Sequence, residues 1–168
     1  MALLKNTVRL EQNYETWKKI YKEEKDTLEK VFGPNTFTIE HIGSTAVPNL
    51  AAKPIVDIAV GVEKFSDLDK YMDELKSLYS VREQTAKDEI LLVKEDGEIT
   101  YILIHVMPIS SDRYKNVIKF RDILINNPKV LKEYEDLKTK LAKKYSNDRK
   151  SYTASKNEFI TKVLKNVS

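Results

Sequence analysis

Apolar residues in the first part of the chain recur at helical spacing. Leu10, Tyr14, Trp17, Tyr21, Leu28 and Val31 fall three, four and seven residues apart, which predicts an amphipathic helix over residues 9–32. Gly33-Pro34-Asn35 ends it. The pattern then changes period. Thr36–Ile42 alternates polar and apolar positions, as a half-buried strand does, and Ile55–Val62 is almost wholly apolar, as a buried central strand is. Ser66 is a candidate N-cap for a helix over residues 67–78, with Asp67 and Asp69 near its positive end. Residues 79–84 read as a short strand. The runs 88–95 and 98–107 flank Asp96-Gly97, a hairpin signal.

After Pro108 the pattern is helical throughout. Asp112 is placed to cap a helix over 113–126, and Asn127-Pro128 restarts the next with proline at its first position. Asn147 or Asp148 caps a last helix reaching about Lys165. No linker, internal repeat or low-complexity tract divides the 168 residues, which predicts one domain over 1–168. The expected class is α+β: a mixed or antiparallel sheet of four to five strands, flanked by an N-terminal helix and a C-terminal helical segment.

Composition narrows the chemistry. There is no cysteine, which excludes a disulfide framework and thiolate metal sites. No apolar run approaches the roughly 20 residues that cross a bilayer, so no membrane association is expected and the cytoplasm is the default location. Net charge is +3 but uneven: residues 1–112 carry 14 Lys/Arg against 20 Asp/Glu, and residues 113–168 carry 15 against 6. The basic half reads either as internal charge complementarity or as a positive wall over a phosphate-bearing ligand. Its lysines are interleaved with glutamates and no arginine–aromatic cluster appears, which argues against nucleic acid as a partner. Nothing in the pattern sets an oligomeric state.

The candidate chemistry centres on one stretch, His41-Ile-Gly-Ser-Thr-Ala-Val-Pro-Asn-Leu-Ala-Ala-Lys-Pro-Ile-Val-Asp57-Ile. Gly43 permits a sharp turn and a close backbone approach, and Ser44 adds a hydroxyl and an N–H suited to phosphate oxygens. Asp57 interrupts an apolar strand, where a carboxylate is costly without a partner, a metal or an exposed strand end. Strand alternation puts Asp57 and Ala59 on one face, and Tyr101, Leu103, His105 and Met107 on one face of the later strand. If those strands are neighbours, Asp57 and His105 face one pocket. Phe37, Ile39 and His41 share a face of the incoming strand, with Glu40 on the other.

A Gly-Ser turn followed, after twelve intervening residues, by a strand carboxylate resembles the nucleotidyltransferase superfamily pattern hG[GS]…[DE]h[DE]h. The fuller wording, from His41 to Ile58, is similar to that of the GrpB (UPF0157) family of nucleotidyltransferase-like proteins. So are Phe120-Arg-Asp-Ile-Leu124, Asn127–Tyr134 and Tyr152-Thr-Ala-Ser-Lys-Asn-Glu-Phe-Ile160, so the resemblance spans about residues 8–165. Two positions depart from it. Asn49 stands where the family usually has glycine, and Ala59 where an active nucleotidyltransferase places its second carboxylate.

The resemblance implies that a nucleotide or phosphorylated small molecule binds at Gly43, Ser44 and Thr45. Lys53 would offset charge, and Arg121, Tyr152 and Lys156 would form a wall. Asp57 and His105 are the implied catalytic residues. They and His41 are the implied ligands of a divalent metal, with Glu40 and Glu89 as substitutes if geometry brings them round. The implied reaction is nucleotidyl transfer to a hydroxyl or amine acceptor. The alternative is a catalytically degenerate ligand-sensing or protein-interaction module of the same fold.

Overall fold

The computed structural model describes residues 3–4, 6–86 and 88–166. Its sheet is mixed. In chain order the strands are β1 (Leu3–Leu4), β2 (Thr38–Ile42), β3 (Val56–Val62), β4 (Ser80–Ala86), β5 (Glu89–Asp96) and β6 (Ile99–Pro108). The main path across the sheet is β2-β3-β6-β5-β4. β3 and β6 run parallel, and the other pairs are antiparallel. β1 extends the edge of β6 at Thr100 and Ile99, before β3 begins to pair at Ile102. The expected four to five strands are thus present, with the two-residue β1 added.

The helices are α1 (Tyr14–Phe32), α2 (Met72–Leu78), α3 (Asp112–Asn126), α4 (Pro128–Lys144) and α5 (Arg149–Asn166). α1 begins later than its apolar spacing suggests. Glu11 is bridged to Ala52, and the Val8 N–H donates to the Ser146 carbonyl at 2.7 Å, so the chain before Tyr14 is held extended. Residues 65–71 form a 3₁₀ segment, because Asp67 rather than Ser66 accepts the leading N–H, that of Lys64. Ser111, one residue before the expected cap, accepts the Tyr114 N–H of α3 at 3.2 Å. Asn127 caps α4 through the Val130 N–H, and Asp148 caps α5 through the N–H and hydroxyl of Ser151. No helix among the described residues is long and apolar enough to cross a membrane.

Strand pleating divides the packing. Ile58 and Val60 of β3, with Ile104 of β6 and Leu92 of β5, face α1 and α2, where Trp17, Leu28 and Leu75 close the main core. Each fully buried aliphatic side chain there contributes about 1.5–3 kcal/mol. The intervening residues, Asp57, Ala59 and Gly61 of β3 and Leu103, His105 and Met107 of β6, face α3–α5. α3 sits close on this second face. A Cβ at Gly61 would lie 2.3 Å from Thr38 Oγ1 and 2.9 Å from the Tyr114 ring. Phe120, Leu124, Tyr134 and Val163 join α3, α4 and α5 into a further core with Val47 and Leu50. The functional side chains lie between that helical core and the sheet.

Candidate functional site

The turn between β2 and β3 brings glycine and acid together. Gly43 has φ +72°, and a Cβ built on it would approach Asp57 Oδ2 to 3.1 Å. Ser44–Ala46 follow as one 3₁₀ turn. Asn49 has φ +64°, the left-handed region for which the family's usual glycine is suited and which asparagine tolerates. Its carbonyl accepts from Gln12.

Asp57 and His105 converge. His105 Nε2 lies 2.8 Å from Asp57 Oδ1, and His105 Nδ1 contacts Glu89 Oε1 at 2.5 Å. The imidazole is therefore held between two carboxylates. Burial opposes its charge, but hydrogen bonds to Asp57 and Glu89 more than reverse this and raise its pKa to about 9. His105 is an imidazolium at neutral pH. Glu89, 8% exposed, comes from β5, two strands away from Asp57 in the sheet.

These groups open onto a cavity of about 440 Å³ roofed by the C-terminal helices. The floor includes Gly43, Ser44, Thr45, Asp57, Glu89 and His105, and the roof includes Tyr134 and Lys138 of α4 with Arg149, Tyr152 and Lys156 of α5. Tyr152 is 1% exposed, and its ring carries two ammonium groups: Lys156 Nζ lies 4.7 Å and Lys53 Nζ 5.2 Å from the ring centroid. Lys138, also 1% exposed, packs over Tyr134 and donates to the Ala51 carbonyl. Burial lowers all three lysines. Like-charge neighbours add to this, while Asp57 pulls Lys53 and Lys156 back up, and Lys156 comes to rest at about 7. Burial raises the hydroxyls of Tyr134 and Tyr152, which stay protonated.

Two expected site residues lie elsewhere. His41 pairs with Ile58 on the α1 face of the sheet, stacks on Tyr21 at 4.8 Å and contacts Thr45 Oγ1 at 3.0 Å. Burial pushes its pKa down to about 4. It sits beneath the turn, outside the cavity. Arg121 does not form the expected wall either. Its Nη1 donates to Glu40 at 2.7 Å and to the His41 carbonyl at 2.9 Å, and its Nε to Asp122 at 2.9 Å, so it ties α3 to β2.

Of the expected metal ligands, Asp57 and His105 meet, with Glu89 brought round beside them, while His41 lies on the other face. Both His105 nitrogens are engaged by these carboxylates, and among the described residues no three His, Asp or Glu side chains are placed to hold one metal ion. Positive charge around the cavity comes from lysines, Arg113, Arg149 and the imidazolium, against the carboxylates of Asp57 and Glu89.

Comparison with known proteins follows the same lines. The family described as GrpB protein matches residues 7–166. The chain belongs to the GrpB family. It is 40% identical over 171 residues to the glutamate-rich protein GrpB of Alkalihalophilus pseudofirmus, covering 98% of each. It is 30% identical over 153 residues to UPF0157 protein YqkA of Bacillus subtilis, covering 90% of this chain and 45% of that protein. Among solved structures, the conserved protein GrpB of Enterococcus faecalis superposes with a TM-score of 0.83 at 28% identity, over 94% of this chain and 95% of that one. The GrpB fold thus accounts for the sheet and the helical roof together.

Sequence reasoning underrated Glu89 and missed Tyr134, Lys138 and Arg149. Lys138 had a signal. It falls four residues after Tyr134 and eight after Val130, a cation on the apolar stripe of α4. Arg149 had none within its own helix. It is placed by the chain start, where the Thr7 carbonyl accepts from its Nε at 3.3 Å.

Proposed function

We propose that this GrpB-family protein binds a nucleotide or another phosphorylated small molecule in the cavity between the Gly43–Ser44 turn and α5. The observation that carries this reading is the convergence of the turn, Asp57 and three largely buried lysines on one cavity. Burial disfavours the charged form of all three lysines and an anion beside them restores it, so the cavity favours a ligand bearing several negative charges. Gly43 permits phosphate oxygens to approach the backbone, and Ser44 supplies a hydroxyl. Lys53 offsets the charge, Tyr152 and Lys156 wall the ligand in, and Asp57 accepts a hydrogen bond from the hydroxyl or amine of an acceptor. The reaction that fits is nucleotidyl transfer to that acceptor.

A second reading is favoured by Ala59, which is fully buried where a second acid would stand. In it the pocket senses its ligand without turning it over.

Thermal stability measured with ATP, GTP, CTP or UTP, each with and without Mg²⁺, Mn²⁺ or Zn²⁺, tests both. Stabilisation by nucleotide that disappears in Asp57→Ala supports a ligand site at the turn. Turnover of the bound nucleotide separates the enzyme from the sensor. No stabilisation by any nucleotide, with Asp57→Ala without effect, refutes the nucleotide reading.

A further inference from the structure

We propose that Lys156 is a reactive amine that condenses with the carbonyl group of a phosphorylated aldehyde or ketone bound in this cavity. The inference deepens the reading of the cavity as a phosphate-ligand site and rests on that reading for the phosphate alone.

Lys156 lines the cavity from α5, and Lys53 enters it from the loop before β3. Both ammonium groups lie over the one buried ring of Tyr152. Among the described residues neither forms an ion pair, although Asp57 lines the same cavity. The charged groups lining the cavity with Lys156 are Lys53, Arg113, Lys138, Arg149 and the His105 imidazolium against Asp57 and Glu89, and of these Lys53 and Asp57 act on it most. Cations outnumber the acids, and an amine so placed, largely buried beside Lys53, sheds its proton more readily than a surface lysine. The free amine is the nucleophilic form, and a neighbouring cation together with a desolvated site is a recognised way to produce it.

The chemistry balances without an oxidant or a second substrate. The Nζ lone pair forms a bond to the carbonyl carbon. Both amine hydrogens leave with the carbonyl oxygen as one water, and an imine remains. Lys53, Arg149 and the Gly43–Ser44 turn supply the phosphate contacts that hold the carbonyl near Lys156. Ile160 and Leu164 close an apolar side of the cavity, where a carbon chain between carbonyl and phosphate is accommodated.

The test uses pyridoxal 5′-phosphate as probe, with 5-deoxypyridoxal, which cannot close to a hemiacetal, as its phosphate-free control, reduction by borohydride, and peptide mass mapping. Lys156 is expected to be labelled at least about tenfold faster than surface lysines such as Lys132, because burial and Lys53 keep its pKa far below that of an exposed lysine. Labelling should depend on the probe's phosphate and fall when inorganic phosphate competes. Lys156→Gln should abolish the fast label. Lys53→Met should slow labelling of Lys156 at pH 7 and move its pH profile upward, a shift that a merely structural lysine would not produce. Each variant is checked by its melting curve.

Label spread evenly over surface lysines overturns the proposal. Equal rates for 5-deoxypyridoxal and pyridoxal 5′-phosphate overturn the assigned ligand class. The two readings of the cavity fail separately. Nucleotide stabilisation with no fast label removes this inference alone. A fast, phosphate-dependent label without nucleotide stabilisation removes the nucleotide reading alone.

Discussion

Asp57 and His105 touch across β3 and β6 without being partners in the sheet register. Asp57 stands opposite Leu103, and His105 stands opposite Ala59, yet Asp57 Oδ1 and His105 Nε2 are 2.8 Å apart. The contact is diagonal. A methyl group at Ala59, rather than a longer side chain, leaves the imidazole room to lean toward the acid. The residue that departs from the two-acid pattern is thus the one beside the imidazolium. On this face the positive charge that balances Asp57 and Glu89 is a side chain of the protein.

This arrangement sets a pH dependence. The folded pKa of His105, about 9, lies above the ordinary value of 6.5. Its contribution to stability is therefore complete below about pH 6.5 and is lost as pH rises through 9, on the order of 3 kcal/mol in all. Lys156, lowered to about 7, acts in the opposite direction over part of this range. Wild type and His105→Gln should therefore be compared by urea unfolding from pH 6 to 10. The stability difference between them should shrink steadily above pH 6.5. A constant difference would show that His105 is not held as an imidazolium.

His41 predicts the reverse slope on the acid side. Its folded pKa of about 4 is below the ordinary 6.5, because burial disfavours the charged ring. Stability from this residue is present above pH 6.5 and falls as pH drops through 4, again by roughly 2–3 kcal/mol. His41→Phe keeps an aromatic stack on Tyr21 and removes the titration. Its unfolding free energy should vary less than that of the wild type between pH 6.5 and 4.

How far the site was legible depended on which residues shared a strand. Alternation along β3 and β6 was enough to place Asp57 with His105, and the Gly-Ser turn marked where the chain bends back. The same alternation carried the information about His41, because Phe37 and Ile39 on its face are apolar and pack toward the α1 core. Glu40, on the opposite face, was the side chain free to meet Arg121. What could not be read was pairing between distant segments. Glu89 reaches His105 through the order β3-β6-β5, and α5 roofs the cavity through its packing on α3 and α4. The start of α1 was misjudged for the same reason, since a bridge to Ala52 overrides local helical spacing.

Gly43 tests the close approach of turn and acid. Alanine there must hold φ near +72° and place its Cβ 3.1 Å from Asp57 Oδ2. Gly43→Ala should cost about 1–2 kcal/mol in denaturant unfolding. It should also abolish nucleotide-linked stabilisation, because the carboxylate and the backbone shift apart. Full retention of both properties would show that the turn has slack the structure does not have.

Anion binding should take up protons. A phosphate placed beside Lys156 raises its proton affinity from about 7, so protons enter the complex between about pH 7 and 8.5. Calorimetry of nucleotide binding in two buffers of different ionisation heat at pH 8 reads this directly. Uptake should be a substantial fraction of one proton in the wild type and smaller in Lys156→Gln. Proton release would mean that the ligand's charge lies away from the lysines.

Arg121 separates a support from a binding group. It spans Glu40, the His41 carbonyl and Asp122, and it does not line the cavity. Arg121→Met keeps much of the side-chain volume and removes those bonds. Glu40 is 41% exposed, which limits the loss to about 1–2 kcal/mol. The variant should therefore melt at a lower temperature while its stabilisation by nucleotide stays within error of the wild type. Loss of ligand response without loss of stability would instead put the guanidinium against the ligand. That would require α3 to rotate about β2, breaking the contact between Thr38 and Tyr114, 2.7 Å apart, that fixes it.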